Sequence, residues 1–87
     1  MNVYMVERSL KGISMTDLGA AQKSAIETAA EMTRQGTPVN YIRSTFVPDS
    51  GACMCLFSAQ DSSAVKTLNE KARIPFDRIV PALDLAP

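Results

Sequence analysis

Residues 37–59 read TPVNYIRSTFVPDSGACMCLFSA, and how this stretch folds decides the architecture of the rest. Val39, Tyr41, Ile42, Thr45, Phe46 and Val47 are β-branched or aromatic, the types that suit a pleated, half-buried surface. Pro38 stands at the head of the run, where its missing N–H costs a strand ladder least, and Pro48 ends it. Asp49-Ser50-Gly51 supplies turn chemistry, after which Cys53 to Phe57 resumes an apolar run. The pattern predicts a hairpin. If Val47 and Ala52 close its loop, Phe46 faces Cys53, Ser44 faces Cys55 and Ile42 faces Phe57, all on one side. Tyr41, Arg43 and Thr45 then fall on the other side with Met54, Leu56 and Ser58. A slip of one residue would exchange the two faces.

Upstream, Asn2 to Arg8 alternates Val3, Met5 and Glu7 with Tyr4, Val6 and Arg8; both faces begin apolar, as in a central strand. Ser14-Met15-Thr16-Asp17 resembles a helix-capping box. From there to Gln35, Leu18, Ala21, Ala25, Ala29 and Met32 step at helical spacing, and Gly36 with Pro38 marks the stop. The largely alanine inner face should let this helix lie close to a sheet. Downstream, Asp61-Ser62-Ser63 offers caps for a second helix over about 63–73, with Val65, Leu68 and Ala72 facing inward. Residues 78–83 then form a last strand, which Pro81 restricts to a sheet edge. The order β-α-β-β-α-β with right-handed crossovers predicts an α+β, ferredoxin-like sandwich: a four-stranded antiparallel sheet with both helices on one face. Residues 1–87 make a single domain of this kind.

Composition narrows the function. Nine basic and nine acidic residues cancel without a basic stripe, so no nucleic-acid footprint is present. No apolar run is long enough to span a membrane, and Glu7 and Arg8 stand where a signal peptide needs its apolar centre. The two cysteines, at i and i+2 on one strand, are badly placed to pair with each other; a cytoplasmic protein with reduced thiols is expected. Histidine is absent, which removes any Ser-His-Asp hydrolase and any imidazole-based metal site. There is no glycine-rich phosphate loop. Hydrophobic residues make up 46% of the chain, high for so small a body. Two helices cover one sheet face only, so the other exposes a broad apolar surface, and a homodimer through that sheet face is expected.

Three residue sets are candidates for chemistry. Glu7 and Arg43 are charges inside strands, unwelcome there unless paired. With Tyr41 they form a candidate ligand-binding set, Glu7 as a base and Arg43 as an anion anchor; the plainer alternative is an ion pair that fixes register. Cys53 and Cys55 share a strand face and form a candidate soft-metal site, against the alternative that both are small core residues, which the register favours. Asp77 and Arg78 suggest a brace between the second helix and the last strand.

Val6-Glu7-Arg8-Ser9-Leu10, Arg43-Ser44-Thr45-Phe46-Val47-Pro48, Cys53-Met54-Cys55-Leu56-Phe57 and Ile74-Pro75-Phe76-Asp77-Arg78-Ile79 together resemble a bacterial family of small proteins of uncharacterised role that includes a nickel-binding, ferredoxin-like member. The resemblance implies a ferredoxin-like dimer and Ni²⁺ binding at the dimer surface, for sequestration. Two functions follow from residues and resemblance together. One is a homodimeric binding protein that takes up divalent metal, nickel in particular, through carboxylates such as Glu7 or through the thiols. The other is a dimeric enzyme or small-organic-ligand binder with a pocket between sheet and helices; a purely structural subunit is the bland third.

Overall fold

The computed structural model describes residues 1–87. Strand β1 (Asn2–Ser9) leads to helix α1 (Met15–Arg34), the hairpin β2 (Val39–Val47) and β3 (Ala52–Ala59), helix α2 (Ser62–Lys71) and strand β4 (Arg78–Ala82). The strands lie in the order β2-β3-β1-β4, each neighbour antiparallel, which is the ferredoxin-like arrangement. β1 is central and β4 is an edge, so Pro81 costs no ladder bond to a further strand.

Helix ends follow local chemistry. The Ser14 hydroxyl accepts from the Asp17 N–H at 3.0 Å and starts α1. Its far end closes with Thr37 N–H donating to the Met32 carbonyl and Gly36 N–H to that of Thr33, the paired bonds of a Schellman cap. Asp61 starts α2 by accepting from the Ala64 N–H at 3.1 Å. That helix runs to Lys71, two residues short of the expected end, because Arg73 leaves helical geometry at φ 58°.

The two helices pack on one sheet face. Ala25, Ala29 and Met32 from α1 and Val65 and Leu68 from α2 close over Val6, Val39, Cys53, Cys55, Phe57 and Ala59. The hairpin pairs as expected at its turn end, with Phe46 opposite Cys53 and Ser44 opposite Cys55. Beyond Arg43 the register shifts by one residue at a bulge, and Tyr41 rather than Ile42 lies opposite Phe57. The expectation that Tyr41 shares a face with Arg43 is thereby corrected. An extra residue on one strand reverses the parity of everything beyond it, so Tyr41 turns under the helices and packs edge-on to the Phe57 ring at 5.5 Å.

On the other face Val3, Met5, Met54, Leu56 and Val80 remain partly exposed. Asp84, which follows β4 at one edge, bonds Arg43 of β2 at the opposite edge (3.0 Å), so this pair reaches across the open face. Leu83 and Leu85 beside it stay 81% and 85% exposed, and the tail therefore shelters little of the apolar surface.

Candidate functional site

Beneath the first half of α1 the sandwich is hollow. Ala21 and Ala25 of the helix face Ser44, Cys53 and Cys55 of the sheet, and small side chains opposite small side chains leave a cavity of about 170 Å³. The close helix–sheet approach expected from the alanine stripe is met farther along, at the buried Ala29. Leu18, Phe46 and Ile74 make the remaining wall mainly apolar, while Gln22, Tyr41, Ser44 and Arg8 bring polar atoms to it. An apolar hollow with a few convergent polar groups is the usual form of a small-molecule site.

The polar groups are linked. The Tyr41 and Ser44 hydroxyls lie 2.6 Å apart, Gln22 Nε2 donates to the Tyr41 oxygen at 3.1 Å, and the Ser44 hydroxyl donates to Cys55 Sγ at 2.9 Å. Cys55 Sγ in turn sits 3.8 Å from Cys53 Sγ. Burial pushes the Cys53 thiol up to about 11; the neighbouring Cys55 adds to the rise and the Arg8 guanidinium opposes it. Cys53 is therefore a neutral thiol near pH 7.

Arg8 is the least expected member of the site. Strand parity puts it inward with Tyr4 and Val6, and it is enclosed. One terminal nitrogen donates to Asn69 Oδ1 at 2.8 Å and the other to the Pro75 carbonyl at 3.2 Å, while Nε has no acceptor. Asn69, itself fully buried on α2, is held by donating to the Val65 carbonyl at 2.8 Å.

Of the three residues grouped as a ligand-binding set, only Tyr41 lines this cavity. Glu7 and Arg43 lie on the open sheet face, where Glu7 pairs with Arg78 of β4 and Arg43 with Asp84. The bulge in β2 is what separates Tyr41 from Arg43. Asp77 ties the connector to β1, its N–H donating to the Glu7 carbonyl at 2.7 Å and its carboxylate accepting from the Ser9 hydroxyl at 3.1 Å. Cys53 and Cys55 are together and face the hollow. No third cysteine, aspartate or glutamate joins them in a metal-binding group. As a nickel site the pair is incomplete: it supplies two donors only, and Cys53 must give up its proton against the cost of burial. Arg8, Gln22 and Ser44, with Asn69 behind Arg8, are the site residues that sequence patterns did not single out. The signal was available for Arg8, since its place in the Tyr4–Val6 alternation points it into the core.

No helix is long and apolar enough to cross a membrane. No curated protein matches the chain. The crystal structure of SCO4226 from Streptomyces coelicolor A3(2) superposes with a TM-score of 0.79 over 97% of this chain and 99% of that one, at 22% identity. At that identity the likeness establishes the ferredoxin-like fold. The family described as nickel responsive protein SCO4226-like matches residues 4–81, nearly the whole folded unit, and this chain belongs to that family.

Proposed function

We propose that this protein is a homodimeric binding protein whose ligand, a small organic molecule, occupies the hollow between α1 and the sheet. The observation that carries this is the hollow itself: an apolar cavity of about 170 Å³ with Tyr41, Ser44, Gln22 and Arg8 converging on it. A half-open hollow of this kind, apolar with hydroxyls and a charge converging on it, has the form of a small-molecule site. The two free thiols suit a reducing compartment, the cytoplasm. The test is a fragment titration of the uniformly ¹⁵N-labelled chain. Amides of Ala21, Ala25, Ser44 and Ile74 should shift together and saturate. Shifts confined to the open sheet face, or none with any fragment, would remove the cavity as the binding site.

A second reading, nickel binding, is favoured by the description of the family. In this histidine-free chain the soft donors are Cys53 and Cys55, whose 3.8 Å separation suits two sulfurs sharing one ion. Equilibrium dialysis against Ni²⁺ with the native chain and a Cys53→Ser/Cys55→Ser variant separates the cases. Binding lost in the variant supports the thiols, and binding unchanged moves nickel to carboxylates such as Glu7. No uptake by the native chain removes the metal altogether.

A further inference from the structure

Resting on the cavity as the binding site, we infer that its ligand is a small organic anion, a compact apolar body carrying a carboxylate that Arg8 grips. A full positive charge is enclosed without a counter-ion. Arg8 is 3% exposed, and arginine is almost never enclosed unless paired. Its two acceptors, Asn69 Oδ1 and the Pro75 carbonyl, are neutral oxygens. The four ion pairs of the molecule all lie elsewhere. A guanidinium has five N–H donors in a rigid fork, and here the Nε–H is enclosed with no acceptor at all. Removing a charge from water without an opposite charge nearby is costly. A carboxylate arriving in the cavity offsets that cost, and its two oxygens match the fork of the guanidinium.

The rest of the wall defines the body of the ligand. Leu18, Ala21, Ala25, Phe46 and Ile74 offer it no hydrogen bonds from their side chains. The space lies below the roughly 300–1,000 Å³ that drug-sized ligands occupy, which sets a size of about ten heavy atoms. The linked hydroxyls of Tyr41 and Ser44 remain for a second polar contact. The same guanidinium repels a divalent cation, so the two ligand classes exclude one another at this site.

Arg8 also joins β1 to α2 and the 72–77 connector, and a purely structural clamp would show no preference for charge in a ligand. The experiment therefore compares benzoate, phenylacetate and 4-methylpentanoate with their neutral amides, by ¹H–¹⁵N titration of the full chain. The carboxylates should saturate the amides of Ala21, Ser44 and Ile74 and move the Arg8 Nε–H resonance. Each matched amide should bind at least about tenfold more weakly. Asn69→Asp, which gives Arg8 a resident carboxylate, should erase that preference. Equal affinity for acids and amides would overturn the anion while keeping the cavity as a binding site. If neither series moves the cavity amides, the cavity assignment fails with it. An undiminished preference in folded Asn69→Asp would overturn the role of Arg8.

Discussion

Gly51 and Gly19 show how one substitution takes opposite signs in one small chain. Gly51 ends the hairpin loop at φ +77°, accepts from the Leu10 N–H at 2.8 Å, and lies against Lys11 so closely that a Cβ would stand 2.3 Å from its Cα. The three atoms it would meet, the Cα, N and Cβ of Lys11, include no flexible side-chain end, so the backbone must move. Gly51→Ala is expected to cost about 3 kcal/mol, from left-handed strain together with the clash. Gly19, exposed in α1 with nothing near its missing Cβ, should gain about 0.5–1 kcal/mol on the same change. Urea midpoints decide, and two changes of the same sign would refute the account. Cys53 makes a residue-scale prediction in pH. Its folded value of about 11 lies above the unfolded 9.0, so above pH 9 the unfolded chain releases a proton that the folded one retains. Stability is thus full below about 9 and falls as the pH rises toward about 11. Cys53→Ala should flatten that decline in a pH series of urea midpoints. Arg8 was legible by parity but not by charge, because a charged residue beside Glu7 in a strand also reads as its ion-pair partner. The structure gives that partnership to Arg78, 71 residues away in the chain.

The two helices end by the same device with different residues. α1 closes at Gly36, φ +100°, and α2 at Arg73, φ 58°, whose N–H donates to the Glu70 carbonyl while that of Ile74 donates to Asn69 (both 3.1 Å). An L-residue in that conformation pays about 1–2 kcal/mol that glycine does not. Arg73→Gly is therefore expected to raise stability by about 0.5–1 kcal/mol after glycine's greater unfolded-state entropy is subtracted. A lower thermal midpoint would show that Arg73 contributes through its side chain instead. This contrast also explains what the sequence disclosed. Glycine announces a helix stop, so the end of α1 is legible, whereas arginine announces nothing and the apolar spacing carries α2 two residues past its end. The β2 bulge was hidden for a related reason. Val39 and Tyr41 follow odd positions and Ser44 and Phe46 even ones on the inner face, a change of phase at Ile42. Ile42 is apolar too, so a single unbroken phase ending in Ile42 and Phe46 looked equally good. Topology survived, because it depends on the order and type of elements. The site did not survive whole, because membership in it turns on one residue of parity.

At the scale of the whole molecule the unsheltered sheet face remains to be accounted for. Met5, Leu56, Met54 and Val80 adjoin one another across β1, β3 and β4, none of them buried. The charges around them are matched within the chain, Glu7 with Arg78 and Arg43 with Asp84. A face with an apolar centre and internally paired charges carries no net charge to repel its own copy. Four strands at about 4.8 Å spacing and eight residues at about 3.3 Å rise give a face of about 500 Å² in projection. Side-chain relief brings its accessible area toward the roughly 800 Å² per partner of stable interfaces. Closing two such faces moves half-exposed Leu, Met and Val side chains out of water, each full burial contributing about 1.5–3 kcal/mol. The expected solution particle has twice the 9.4 kDa of one chain by light scattering at micromolar concentration. Leu56→Glu places a charge at the centre of the face, on the side away from the helices. It should therefore yield a folded particle of single-chain mass with the helical circular dichroism unchanged. Single-chain mass for the native protein would show that this face meets water or a different partner. A Leu56→Glu protein that still dimerised would move the interface to another surface.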